Sequence, residues 1–145
     1  MIFPQGRDGM RRIYLQAWDK YNAEHALEEM ERRIVDVILL HPEYHRLLAY
    51  EDAALGRDFS PEMGISNPFL HMGLHISVRE QLATQRPPGI AACYQALVLK
   101  LRDAHEVEHR MLECLGEVLW RAQHESTEPD EAAYLECLRK ISDHC

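Results

Sequence analysis

The sequence predicts an all-α fold, a single-domain bundle of about six to seven helices. Apolar residues recur at three- and four-residue spacing almost throughout the chain, which is the period of an amphipathic helix. No segment alternates apolar and polar residues in the way that a half-buried strand does. Prolines, glycines and N-capping residues fall between the periodic segments, where they end one helix and begin the next.

Three helices and a loop are predicted in the first half of the chain. The apolar stripes favour helices over about residues 8–21 and 23–40. The second of these ends before Pro42, because proline disfavours helical geometry at the residue that precedes it. A third helix is expected over about residues 42–55. The segment 56–66 contains two glycines and a proline, so it is predicted to be a loop.

The second half of the chain is predicted to contain four further helices. The first, over residues 68–86, follows Asn67, a favoured N-cap residue, and stops at a Pro-Pro-Gly sequence. A helix over residues 90–101 comes next, and a capping-box pattern opens another over 103–123. Residues 124–145 are expected to form a C-terminal helical appendage, so that 1–145 is one all-helical domain.

Composition narrows the classes of function. The chain has 145 residues, of which 46% are hydrophobic, enough for the core of one soluble domain. It carries 24 acidic and 16 basic side chains, a formal charge of −8, whereas nucleic-acid binding needs clustered Lys and Arg. No apolar run approaches the roughly 20 residues that span a bilayer, and the N-terminus lacks the pattern of a signal peptide. We therefore expect no nucleic acid or membrane partner and a cytoplasmic location.

The four cysteines contain no C-x-x-C pair and lie mostly in apolar helical segments. This pattern favours reduced core residues over a disulfide scaffold or a thiolate zinc site.

Histidine carries the main chemical signal. Three histidine pairs of the H-x-x-x-H type occur, at residues 41–45, 71–75 and 105–109. Roughly 0.5 such pairs would arise by chance from nine histidines in a chain of this length. Positions i and i+4 on a helix lie about 6 Å apart on one face, so two imidazoles can reach one metal ion.

Glu108 strengthens the metal hypothesis. On a helical wheel Glu108 falls inside the apolar arc of its helix, with two histidines at the edge of that arc. A buried carboxylate needs a cation, a metal or a proton. We therefore expect a transition-metal site whose ligands come from His71, His75, His105, Glu108 and His109.

Three further residues are secondary candidates for this site. His41 is expected at a helix junction, and at least one of His41 and His45 is expected to face solvent. Glu51 falls on the apolar side of the third predicted helix, so it is a second carboxylate that could face the site. Arg79 and Glu80 are candidates for groups that hydrogen-bond to the metal ligands and orient them.

The pattern leaves the metal and the function open. Nitrogen and oxygen ligands suit one divalent Zn, Fe, Ni or Mn ion, and no motif for a nucleotide or organic cofactor is present. A standard di-iron centre is not expected, because only one E-x-x-H unit occurs. The alternative is a non-enzymatic protein–protein interaction module, a homodimer, in which the histidines join a buried hydrogen-bond network or ion pairs such as Glu108 with Arg79.

Several long motifs resemble one family. The segments HPEYH, PEMGISNPFLHMGLHISVREQLATQRPPGI and HEVEHRMLECLGEVLWRAQ are similar to an uncharacterised, mainly proteobacterial domain-of-unknown-function family, DUF1841. The likeness spans nearly the whole chain. It implies a small cytoplasmic bacterial protein of about this length, and it implies no established activity. The chain shows the family pattern at His41, Glu43, His45, Asn67, His71, His75, Glu80, His105, Glu108 and His109.

Overall fold

All regular structure in the described part of the chain is helical. The structure, a computed structural model, describes residues 6–50 and 67–143, and these ranges contain seven α-helices, one 3₁₀ turn and no strand. The all-α helical-bundle fold class is therefore confirmed. The elements are α1 (Gly6–Asn22), α2 (Glu29–Leu39), the 3₁₀ turn (Pro42–Tyr44), α3 (His45–Ala49), α4 (Pro68–Thr84), α5 (Ile90–Leu101), α6 (Ala104–Glu125) and α7 (Glu131–Ser142).

Backbone contacts divide the chain into two compact units, Met1–Gly73 and Leu74–Cys145. The boundary falls inside α4, which is a continuous helix from Pro68 to Thr84. The single-domain organisation expected from the sequence stays a prediction. The predicted loop over residues 56–66 and the end of the predicted third helix lie outside the described residues.

In the first unit, α1 packs against α2 and α3. The side chains that α1, α2 and α3 bury are apolar with one exception: Tyr14, Leu15, Ala17, Trp18, Ile34, Val35, Val37, Ile38 and Leu48, with Arg11 as the buried charge.

Two boundaries in the first unit differ from the prediction. α2 begins at Glu29 and not near residue 23, because the chain leaves α1 through a left-handed residue, Glu24, with φ of 59°. The capping box between Glu28 and Glu31 then starts the new helix. The predicted helix after His41 is a 3₁₀ turn followed by the short α3, which ends at Ala49 because Tyr50 is extended.

In the second unit, α5, α6 and α7 pack against one another. Each of the two later helices has an aspartate N-cap: Asp103 accepts hydrogen bonds from the backbone N–H groups of His105 and Glu106, and Asp130 accepts one from Ala133. The buried core is formed by Val78, Ile90, Cys93, Leu97, Val107, Met111, Leu112, Cys114, Leu115, Val118, Tyr134 and Leu138.

The prediction of reduced cysteines is wrong. Cys114 on α6 and Cys137 on α7 form a disulfide, with Cα atoms 5.9 Å apart. Cys93 is also in a disulfide, so no cysteine within the described ranges is free. The spacing rule looked for cysteines close in sequence, whereas helix packing brings together two that are 23 positions apart.

None of the helices described above has the length and apolar character needed to cross a membrane.

Candidate metal site

His41 and His71 form a buried histidine pair in the first unit. His41 precedes the 3₁₀ turn and is 1% exposed, so it is not the solvent-facing residue that its junction position allowed. Its Nδ1 lies 2.8 Å from the carbonyl oxygen of Val37, and its Nε2 lies 3.0 Å from Nε2 of His71. Since a carbonyl can only accept, Nδ1 of His41 carries the proton and Nε2 carries a lone pair in the neutral ring. Nε2–H of His71 therefore donates to His41 when no metal is bound.

His45 is directed elsewhere by its own contacts. Its Nε2 donates to the carbonyl oxygen of Ile38 at 2.9 Å, and its ring packs 4.6 Å from that of Trp18. Both contacts lie within the first unit, and a ligand role for His45 stays a prediction from the sequence. The other secondary carboxylate candidate, Glu51, lies outside the described residues.

In the second unit, His75 and Glu108 are buried together. His75 is fully buried, and its Nε2–H donates to Oε1 of Glu108 at 3.0 Å. Nε–H of Arg79 donates to the same oxygen, also at 3.0 Å. Because Nε2 of His75 carries the proton, the buried Nδ1 atom is the lone-pair nitrogen of the neutral ring. The helical wheel correctly placed Glu108 in the core, where it is 7% exposed.

The charge on Glu108 is stabilised by its neighbours. Burial acts to raise the pKa of this carboxyl, but the hydrogen bond from His75 and the positive charge of Arg79 outweigh burial, so that the pKa of Glu108 lies below its ordinary value. The ion pair with Arg79, one of the alternatives left open by the sequence, is therefore present.

His105 and His109 of α6 lie beside His75. The ring centroid of His75 is 5.6 Å from that of His109 and 6.0 Å from that of His105, and the two α6 rings are 4.2 Å apart. The ligand atoms of His75 and His109 lie within 4.8 Å of each other, as do those of His41 and His71. Each unit thus contains one pair of imidazoles at metal-binding distance.

α4 supplies one histidine to each pair. His71, His75 and Arg79 follow one another at four-residue intervals, so they lie one turn apart on one face of this helix. The side chain of Asn67 caps α4 by accepting hydrogen bonds from the N–H groups of Phe69 and Leu70, which fixes the first turn just before His71.

Sequence reasoning did not predict the buried position of His41. Periodicity could not place it, because it lies outside any helix. Its signal was Pro42, which ends the preceding helix and so frees the His41 ring to reach back to the carbonyl of Val37.

No curated protein and no solved structure matches the chain. A family model with the description "Domain of unknown function (DUF1841)" matches residues 6–140 of the 145. This match covers α1 to α6 and most of α7, and therefore all the histidines of both pairs. The chain belongs to the family of the DUF1841 domain of unknown function.

Proposed function

We propose that this protein binds a divalent transition-metal ion, Zn, Fe, Ni or Mn, through the imidazoles of its paired histidines. One observation carries the proposal: Nε2 of His41 and Nε2 of His71 are 3.0 Å apart, and the other nitrogen of His41 is held by a backbone carbonyl. Two imidazole nitrogens bound to one zinc ion at ordinary bond lengths and angles lie about 2.8–3.4 Å apart. The metal-free pair therefore already has the spacing of two ligands.

The hydrogen bonds made by the second ring nitrogens of His41 and His75 also support the proposal. A histidine that binds metal through one nitrogen commonly donates its other N–H to a carbonyl or a carboxylate, which fixes its orientation. His41 does so to Val37, and His75 does so to Glu108. In this arrangement Glu108 orients His75, and Nδ1 of His75, the lone-pair nitrogen of the neutral ring, is the atom that would bind the ion. His109 supplies a second ligand atom within 4.8 Å of that of His75. His105 is the remaining candidate ligand in the second unit.

One observation also favours a metal-free interpretation of these residues. The carboxylate of Glu108 already accepts hydrogen bonds from His75 and Arg79, so a metal-free network can satisfy its charge. This arrangement suits the alternative of an interaction module without a metal. A homodimer and a cytoplasmic location stay predictions from the sequence.

The test is elemental analysis of untagged protein purified without chelator or added metal. We expect about one equivalent or more of a single transition metal, and a fall in thermal stability when chelator removes it. The informative variants are His71→Ala and His109→Ala, because both side chains are half-buried and each belongs to one pair. Their metal content should fall, whereas a double variant of the exposed His25→Ala and His124→Ala should keep it.

One result would overturn the proposal without any variant. If the wild-type protein contains far less than one equivalent and none of the four ions raises its melting temperature, the histidines are a hydrogen-bond network. Circular dichroism on each variant separates loss of metal from loss of fold.

A further inference from the structure

Helix α7 carries no histidine, but a covalent bond attaches it to a helix that does. The disulfide joins Cys137 of α7 to Cys114 of α6, and Cys114 follows His109 by five residues in the same helix. Since an α-helix rises by about 1.5 Å per residue, the crosslink lies about 7.5 Å along α6 from this candidate ligand. The disulfide therefore attaches α7 to α6 within two turns of the second unit's histidine pair.

Helix α7 also contacts α4, which carries His75. The hydroxyl of Tyr134 donates a hydrogen bond to Oε1 of Gln81 at 2.6 Å, and Tyr134 is only 2% exposed. Tyr134 and Leu138 of α7 belong to the same buried core cluster as Val78 of α4. Val78 and Gln81 follow His75 by three and six residues. Helix α7 therefore helps to hold the part of α4 that comes directly after His75.

The metal pair of the second unit is assembled from two helices. His75 comes from α4 and His109 comes from α6, so the distance between their ligand atoms depends on how these helices pack. His75 and Arg79 attach α4 to α6 through their hydrogen bonds with Glu108. Helix α7 adds a second attachment, because it is bonded to α6 and hydrogen-bonded to α4.

The disulfide can be opened by a dithiol reductant from its α7 side. Cys114 is 2% exposed, whereas Cys137 is half-buried, so an external thiolate reaches Sγ of Cys137 more easily. Its attack breaks the S–S bond, forms a mixed disulfide at Cys137 and releases Cys114 as a thiolate, which takes up a proton. The second thiol of the reductant then displaces Cys137. The protein gains two electrons and two protons, and the dithiol loses the same number as it becomes a disulfide.

We propose that the disulfide between Cys114 and Cys137 is a redox switch for metal binding by His75 and His109. The oxidised protein keeps α7 against α4 and α6 and holds the histidine pair at metal-binding distance. Reduction frees α7, loosens α4 and weakens metal binding. In the reducing cytoplasm that the sequence predicts, disulfides are typically transient and serve catalysis or redox sensing. This regulation rests on the proposed metal binding.

The first measurement is hydrogen–deuterium exchange of chelator-treated protein, which needs no metal. In the double variant Cys114→Ala with Cys137→Ala, the amides of residues 74–84 should exchange about fivefold faster or more than in oxidised wild type. Tyr134→Phe, which keeps the disulfide and loses the hydrogen bond to Gln81, should change exchange in the same direction. Dithiothreitol should accelerate exchange more in wild type than in the double variant, where only the disulfide of Cys93 remains to be reduced.

Lys100 provides a matched control for contacts of α7. Its Nζ donates to the carbonyl oxygen of Ile141 at 2.6 Å and lies 2.9 Å from Oδ2 of Asp143. These bonds attach the end of α7 to α5, which carries no histidine. Lys100→Ala should therefore leave the exchange of residues 74–84 at the wild-type rate.

The second measurement is zinc affinity, by competition with a chromophoric chelator in the absence of reductant. Zinc is the probe because it has no redox chemistry of its own. The double cysteine variant should bind zinc about fivefold or more weakly than oxidised wild type. Because this variant has no thiols at positions 114 and 137, the loss cannot come from a change in thiolate ligands there. Lys100→Ala should bind zinc as wild type does.

Contrary outcomes are distinct from a failure of metal binding. If residues 74–84 of the double variant exchange at the wild-type rate, or if this variant binds zinc as tightly as wild type, the switch is wrong while the metal site stands. If dithiothreitol leaves the exchange of wild type unchanged, the disulfide is a fixed crosslink and the switch is again wrong. Wild type that binds no metal ion overturns the proposed function, and the titration of wild type alone reveals this.

Discussion

At the scale of single residues, Glu108 is the shared hydrogen-bond acceptor of two basic side chains in the second unit. One of its oxygens accepts both the hydrogen bond from His75 and that from Arg79. His75 is fully buried, so water cannot replace Glu108 as the acceptor of its Nε2–H group. Loss of the carboxylate would therefore leave a buried donor without an acceptor, which costs free energy. Arg79 is far more exposed and can turn to solvent. The cost of removing Glu108 should therefore fall mainly on His75.

We expect Glu108→Ala to lower the free energy of unfolding by about 2–4 kcal/mol and Glu108→Gln, which keeps an acceptor oxygen, by about 1 kcal/mol. Urea unfolding of chelator-treated protein measures both without any contribution from a metal. Glu106→Ala is the control: its carboxylate makes the same kind of ion pair with Arg110, but it is half-exposed, so a change of less than about 1 kcal/mol is expected. Equal losses in Glu108→Ala and Glu106→Ala would contradict this account.

At the scale of helices, Glu31 joins two elements of the first unit. Its Oε1 accepts a hydrogen bond from the backbone N–H of Glu28, which caps α2, and its Oε2 lies 2.8 Å from Nζ of Lys20 in the last turn of α1. The hydrogen bond from Lys20, followed by that from Glu28, holds the pKa of Glu31 below its ordinary value. The ionised carboxylate thus contributes to the start of α2 and to its contact with α1.

This shift predicts the sign of a pH effect. Because the pKa of Glu31 is lower in the folded than in the unfolded chain, its contribution to stability is present above the unfolded value, about 4.3. That contribution is lost as the pH falls through the folded pKa. Glu31→Gln should therefore lower stability at pH 7 and should lose less stability than wild type between pH 7 and pH 4.

Chemical unfolding at the two pH values measures the effect. Glu29→Gln on the same helix is the comparison, since Glu29 pairs with Arg33 but its side chain is 84% exposed. Parallel pH profiles for wild type and Glu31→Gln would show that the Lys20 contact contributes nothing.

At the scale of the whole molecule, the disulfide between Cys114 and Cys137 adds a covalent bond to the packing that stabilises the second unit. It crosslinks α6 to α7, while the hydroxyl of Tyr134 on α7 donates to Gln81 on α4 at 2.6 Å. Burial raises the pKa of Tyr134, as expected for a phenol held in the core. Disulfides are typical of oxidising compartments. The cytoplasmic location expected from the sequence was argued from other features, and it stays a prediction.

A double variant, Cys114→Ala with Cys137→Ala, should unfold more easily than the oxidised wild type. The crosslink joins residues 23 positions apart, and the entropy that it removes from the unfolded chain corresponds to about 3 kcal/mol. The midpoint of urea unfolding measures the difference. Reduction of wild type is a weaker test, because it would also break the disulfide of Cys93. If the double variant has the same urea midpoint as the oxidised wild type, the disulfide adds no stability and helix packing alone is sufficient to keep α7 in place.

The sequence by itself determined the helical content, the caps and the burial of one charge. The three- to four-residue period of apolar side chains is a local property, so it predicted α4, α5 and α6 closely. Asn67 and Asp103 were predicted as the N-caps of α4 and α6, and both accept capping hydrogen bonds. The same period placed Glu108 on the buried face of its helix, because a helical wheel needs no knowledge of the neighbours.

Only the tertiary structure decided which groups meet. His41 and His71 are 30 positions apart, His75 and Glu108 are 33 apart, and the two cysteines are 23 apart. The period of a helix specifies the face that is buried but not the helix that covers it. The sequence therefore named the histidines as candidates, and the packing of helices determined that His41 faces His71 and that His75 faces Glu108.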